Sequence, residues 1–104
     1  IRLRWSRNEK YFLQDKWRGT WKNDGGVIAN QASHHIDLLQ WLMGDFKSVF
    51  AKTLRITKKT IASDTCLAIL SFKSGALGSI EATTATRPHD LEGSISILGT
   101  KGTL

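Results

Sequence analysis

The stretch Asp24-Gly25-Gly26-Val27-Ile28-Ala29-Asn30-Gln31-Ala32-Ser33-His34-His35-Ile36-Asp37-Leu38-Leu39-Gln40-Trp41-Leu42-Met43-Gly44 decides how this chain folds. Within it Ile28, Ala32, Ile36, Leu39 and Met43 recur every three or four residues, the spacing that lines one side of an α-helix with core-facing groups. The pattern predicts one long helix from about Val27 to Met43. Asp24-Gly25-Gly26 leads into it, with an acid able to take up free backbone N–H groups, and Gly44 supplies the stop. At about 100° per residue, Asn30, His34, Asp37 and Trp41 fall on roughly the opposite side from the apolar stripe. One side packs and the other presents chemistry.

Downstream of Gly44 the periodicity changes. Ser48 to Thr57, Thr65 to Phe72, Ala76 to Thr86 and Ser94 to Leu98 are rich in Ile, Val, Leu, Thr and Phe with turn residues between them, which predicts strands. Phe72-Lys73-Ser74-Gly75-Ala76 is short enough to demand an antiparallel hairpin, and Gly99 to Leu104 reads as the start of another. One long helix followed by adjacent strands gives an α+β layer: an open, mainly antiparallel sheet with the helix on one face. Leu67 and Ile69 alternate with Ala68, Leu70 and Phe72, so this strand is apolar on both sides. No second long helix is available for the far face, and a homo-oligomer built through the sheet is the expected solution.

The chain has 104 residues, a length for one domain, and 40% of them are hydrophobic, enough to bury a core. No apolar run is long enough to span a bilayer, and the charged start IRLRWSRNEK does not read as a signal peptide. The single thiol, Cys66, lies in an apolar run and reads as a buried small hydrophobe, in keeping with a reducing, cytoplasmic setting. Because the first residue is Ile1 and the last residues form an unfinished hairpin, the chain is expected to be a piece of a longer protein.

The net charge of +6 is concentrated: residues 1–22 carry seven of the fifteen cations and only two acids, along with Trp5, Trp17, Trp21, Tyr11 and Phe12. Leu3 and Trp5 alternate with Arg2, Arg4 and Ser6, which predicts a strand entering an irregular, partly buried loop that runs to about Asn23. Cations interleaved with aromatic rings can bind nucleic acid through phosphate contacts and stacking. They can equally line a pocket for a sugar or an anionic small ligand, or anchor the loop on the core while the cations stay solvated. No nucleic-acid module signature supports the first of these, and a small basic nucleic-acid-binding module that uses this basic aromatic segment is the alternative function.

Among the nine glycines there is no G-x-G, so this stretch carries neither a dinucleotide fingerprint nor a phosphate loop. No serine sits in a nucleophile elbow, and the histidines lack the His-Glu-x-x-His spacing of a zinc site. In Asn30-Gln31-Ala32-Ser33-His34-His35-Ile36-Asp37, Asn30 stands four residues before His34 and Asp37 three after it. One polar neighbour could therefore fix the imidazole while another meets a ligand, which makes His34 a candidate acid/base; its alternative is a satisfied half-buried histidine. His35, nearer the apolar stripe, is read as a packing residue.

The run Trp17 to Gly44, continued by Ser63-Asp64-Thr65-Cys66-Leu67-Ala68-Ile69-Leu70-Ser71-Phe72-Lys73-Ser74-Gly75-Ala76-Leu77-Gly78-Ser79-Ile80 and by Ile95 to Leu104, resembles the substrate domain of the glucose-fructose oxidoreductase, inositol dehydrogenase and rhizopine-catabolism (Gfo/Idh/MocA) family. The likeness covers nearly the whole chain in order. It implies a two-domain enzyme: an N-terminal Rossmann domain binding NAD or NADP, and this α/β domain, whose open sheet serves sugar and subunit contacts. In such enzymes a histidine of this helix acts with a lysine from a Glu-Lys-Pro motif of the first domain in proton transfer while a sugar carbon is oxidised. His34 corresponds to that histidine. The position four before it is often Asp; here Asn30 cannot take a proton and would orient the substrate by hydrogen bonds. Asn30-Gln31 together with Trp17-Arg18-Gly19-Thr20-Trp21 resembles members that act on nucleotide sugars, and the excess cations would suit a diphosphate. The residues expected to line the substrate pocket are Tyr11, Trp17, Arg18, Asn30, Gln31 and Asp37. The domain alone is expected to be inactive, its partners being a sugar, a Rossmann domain and further copies of itself, with no membrane or nucleic acid.

Overall fold

The computed structural model describes residues 1–104. Strand β1 (Arg2–Arg4) and the short helix α1 (Glu9–Leu13) come first. A π-helical turn (Val27–Gln31) then runs into helix α2 (Ser33–Met43). Strands β2 (Phe46–Leu54), β3 (Thr65–Phe72), β4 (Leu77–Thr83), β5 (Glu92–Ser94), β6 (Leu98–Gly99) and β7 (Gly102–Thr103) complete the chain. The main sheet has the order β2-β3-β4-β1-β5, and β6-β7 is a separate hairpin. Every pairing is antiparallel except β1 with β4, so the mainly antiparallel sheet of the α+β reading holds.

The sheet follows from alternation. Along β3, Cys66, Ala68, Leu70 and Phe72 are buried while Leu67 and Ile69 point the other way and are exposed. In register with the buried row, Ala82 and Ile80 of β4 face the same side, and Leu3 of β1 pairs with Ala82. These groups form one core with Val27, Ala32 and Leu39 of the helical segment, and Ile28, Ile36 and Met43 pack at its margin. Burial raises the pKa of the Cys66 thiol, as expected of a packing residue.

The single long helix expected from Val27 to Met43 is instead two pieces. Ala32 donates its N–H to Val27 O at 2.9 Å, an i to i+5 bond that widens the first turn before α2 begins. An apolar spacing of three or four is compatible with either geometry, which is why the sequence pattern runs across the break. The lead-in also differs: no side chain caps the segment, whose first residue follows Gly26. Gly26 has φ 78°, and a Cβ there would lie 2.6 Å from Ser63 O, so only glycine allows this close approach. Val27 N–H then donates to the same Ser63 O at 2.9 Å, which fastens the helical segment to the start of β3.

Other boundaries move for local reasons. The first strand after α2 ends at Leu54 rather than Thr57, because the buried Asp64 carboxylate takes the N–H groups of Ile56 and Thr57 (2.9 and 2.6 Å) and turns the chain. The run expected over Ser94–Leu98 divides between the edge strand β5 and the hairpin, where Ile97 and Leu104 exchange backbone bonds. Helix α1, inside the segment read as an irregular loop, starts where Asn8 Oδ1 accepts the Tyr11 N–H at 3.1 Å and inserts Phe12 into the interior. Trp17 and Trp21, read as possible loop anchors, are exposed.

The core assignment makes a quantitative expectation. Leu70, 1% exposed, should cost about 2–5 kcal/mol on truncation to Ala, whereas Leu98, 81% exposed, should cost no more than about 0.5 kcal/mol. Denaturant unfolding of the two variants measures the difference.

Candidate functional site

The loop from Tyr11 to Asp24 and the helical segment from Val27 to Asp37 meet at the residues singled out from sequence. Tyr11 lies at their junction: Gln31 Nε2 donates to its hydroxyl at 3.2 Å, and the Arg18 guanidinium lies 4.2 Å from its ring centroid. Arg18 also donates to the Tyr11 carbonyl (3.3 Å) and to Gln14 Oε1 (2.8 Å), and lies 5.4 Å from the Trp17 ring. Its Nε forms an ion pair with Asp15 at 2.9 Å without hydrogen-bond geometry. Tyr11, Trp17, Arg18 and Gln31 are thus brought together as a stacked wall, and the cation is already partnered.

Asn30 and His34 are placed differently from the helical-wheel expectation. Asn30 sits in the π-helical turn and donates from Nδ2 to Asp24 Oδ1. His34, in the first turn of α2, is exposed and is bonded to neither Asn30 nor Asp37. The idea that one of these two fixes the imidazole from within the domain is therefore corrected: the wide turn carries Asn30 toward Asp24, and Asp37 stays on the exposed face of α2.

The residue that sequence reasoning missed is Asp24. Read as a helix cap, it is instead buried (8% exposed), with one oxygen on Asn30 and the other accepting the Gly19 N–H. The cue was available: an acid placed directly before two glycines sits where the backbone must double back.

His35 behaves as the packing residue expected. Its ring meets Trp5 edge to face with centroids 5.9 Å apart, and its Nδ1 is buried without a partner. Burial first and the neighbouring His34 second hold its pKa below the ordinary 6.5.

Part of the basic first segment is tied up in ion pairs. Arg4 is clamped by Glu81 through two bonds of 2.6 Å and lies 3.5 Å from Glu92, and Arg7 pairs with Asp90 at 3.2 Å. The Arg4 hydrogen bonds hold the Glu81 carboxyl below the usual carboxylate range. Nor does the chain offer a dinucleotide cradle. Of the glycines before Val27, Gly25 packs against Ala29 and Gly26 against Ser63 and Ala62, and the Val27 N–H is spent on Ser63 O.

The lowered pKa of His35 has a sign. Below pH 6.5 the unfolded chain binds a proton that the folded one resists, so this contribution to stability is intact above that pH and is lost as the pH falls through the folded value. Melting temperatures recorded across this range should fall less steeply toward acid for His35→Asn than for the parent.

The comparisons with known proteins bear on the family and the fold. No curated protein matches the sequence. Among solved structures, the WlbA dehydrogenase from Bordetella pertussis, in complex with NADH and UDP-GlcNAcA, is 48% identical over 99% of this chain with a TM-score of 0.95. The WlbA dehydrogenase from Chromobacterium violaceum, in complex with the same two molecules, is 45% identical over 98% with a TM-score of 0.92. A levoglucosan dehydrogenase in complex with NADH and levoglucosan is 25% identical over 98%, with a TM-score of 0.79. The chain spans about a third of the length of these structures, from 30% to 31%. A family profile described as the GFO/IDH/MocA C-terminal domain matches residues 1–104, and the chain belongs to that family.

Proposed function

We propose that this domain is the substrate-binding half of an NAD(P)-dependent oxidoreductase that acts on a nucleotide sugar, with His34 moving the proton at the hydroxyl being oxidised. The observation that carries the reading is the 48% identity over 99% of the chain to a dehydrogenase in complex with NADH and UDP-GlcNAcA. The nicotinamide cofactor, held by a dinucleotide-binding domain outside these residues, supplies the hydride acceptor. This chain's own residues bind, orient and move the proton.

In this reading the wall made by Tyr11, Arg18, Trp17 and Gln31 borders the sugar nucleotide. Its stacking fixes the side chains before the ligand arrives, which lowers the ordering cost of binding. Asn30 positions the sugar by hydrogen bonding, and Asp37 lies on the same exposed helix face as His34. An imidazole with no internal partner can accept the carbinol proton directly or pass it to solvent.

The uncovered face of the sheet supports a homo-oligomer. Phe50 and Ile69 are register partners on neighbouring strands, and with Leu67 they are 66%, 61% and 57% exposed. Three large apolar groups side by side form a patch suited to a second copy. No helix of the chain is long and apolar enough to cross a membrane. The buried free Cys66 suits a reducing, cytoplasmic setting.

In the intact enzyme, His34→Asn should lower turnover of UDP-GlcNAcA by about 100- to 10,000-fold, the usual worth of a general acid/base, with the melting temperature nearly unchanged. Unaltered turnover in steady-state assays would remove His34 from the chemistry. For the sheet, Ile69→Glu should shift light-scattering mass toward the monomer; an assembly unaffected by that charge would place the contact elsewhere.

A further inference from the structure

Asp24 is the buried charged group on which the loop and the helical segment converge, and its chemistry restricts what Asn30 can present. A carboxylate only accepts hydrogen bonds, whereas a carboxamide has a donor end and an acceptor end. Because Asp24 Oδ1 faces Asn30, the asparagine must turn its NH2 end inward. Asn30 Oδ1 then accepts no bond within the chain, and it is not among the buried atoms that lack a partner, so it is open to solvent. The same is true of Gln31, whose NH2 end goes to Tyr11 and whose oxygen is left free. A tyrosine hydroxyl can donate or accept, so only at Asn30 is the orientation forced.

We propose that Asp24 is a positioning residue that sets the hydrogen-bonding polarity of the site: by holding Asn30 Nδ2, it presents Asn30 Oδ1 as an acceptor to the substrate. The sugar that fits offers a donor there, a hydroxyl or an amide N–H, near the carbon served by His34. This inference rests on the nucleotide-sugar reading above.

The second oxygen of Asp24 makes the idea separable from loss of structure. It accepts the Gly19 N–H, and the Gly19 carbonyl is independently held by Ile61 and Ala62 N–H groups at 2.7 and 2.8 Å. In Asp24→Asn the new amide can keep the Gly19 bond only by placing its oxygen there, which turns its NH2 toward Asn30. Two donors then face each other, and Asn30 must rotate and present NH2 to the ligand. The exchanged pair Asp24→Asn with Asn30→Asp restores the logic. The amide at 24 donates to the carboxylate at 30, whose other oxygen is an acceptor again, and the net charge equals that of the parent.

The test uses the intact enzyme with UDP-GlcNAcA as probe, measuring kcat, KM and melting temperature. Asp24→Asn should raise KM by about tenfold or more at a nearly unchanged melting temperature, as a lost hydrogen bond with an opposed donor requires, and the exchanged pair should return KM to within about threefold of the parent. An unchanged KM in Asp24→Asn, or a raised KM that the exchange does not repair, overturns the proposal. If the parent enzyme fails to turn over the probe, the nucleotide-sugar reading falls and with it the ligand assigned to Asn30. The hold itself is then read by the Asn30 side-chain NH2 resonances in a nitrogen–proton correlation spectrum. They should move in Asp24→Asn, and resonances that stay in place show that Asp24 does not orient Asn30.

Discussion

One backbone hydrogen bond, Val27 N–H to Ser63 O at 2.9 Å, fixes where the helical segment of this domain lies against the sheet. It joins the first residue of the helical segment to a residue just ahead of β3, and it forms only because Gly26 brings its backbone against Ser63. The next residue extends the same junction. Asp64 takes the N–H groups of Ile56 and Thr57 through its carboxylate, donates its own N–H to Leu54 O, and accepts Thr84 N–H. Residues 63 and 64 therefore tie together the helical lead-in, the end of β2, the start of β3 and the end of β4. From that anchor, the π-helical turn sends Asn30 toward Asp24 and delivers His34 to the exposed first turn of α2.

The sheet is built to have two different faces. On one, the buried row of β3 meets Val27, Ala32 and Leu39. The other carries Phe50, Leu67 and Ile69 beside a charged row in which Arg4 binds Glu81 and Glu92. An apolar patch bordered by satisfied ion pairs suits a contact that must be specific as well as adhesive, since the charges penalise other registers. Of the seven cations of the first segment, Arg4, Arg7 and Arg18 are committed to ion pairs, and Arg18 also lies over the Tyr11 ring.

The legible parts were those governed by local periodicity. The alternation Cys66-Leu67-Ala68-Ile69-Leu70 announced a strand with one buried and one uncovered face, and the Ile36, Leu39, Met43 spacing announced α2. The hairpins at Lys73–Gly75 and Thr100–Lys101 followed from their turn residues. What stayed hidden depends on contacts distant in sequence. The parallel pairing of β1 with β4 joins residues nearly eighty positions apart, and no local pattern encodes it. The widened turn at Val27–Gln31 shares its apolar spacing with an ordinary helix, so the wheel placed Asn30 beside His34 when its partner is Asp24. Asp24 itself looked like a cap because its real partners, Gly19 and Asn30, are set by the fold of the loop. The family likeness supplied the candidate role of His34, which periodicity alone left balanced against a packing role.

The central claim, that the helical segment from Asn30 to His34 is the sugar-facing surface of a nucleotide-sugar oxidoreductase, is tested most directly by a crystal structure of the intact enzyme with NADH and UDP-GlcNAcA. The claim predicts a sugar hydroxyl within about 3.2 Å of a His34 ring nitrogen, with Asn30 Oδ1 accepting a hydrogen bond from the same sugar. A sugar ring seated elsewhere on the domain, with water alone at His34 and Asn30, would contradict it.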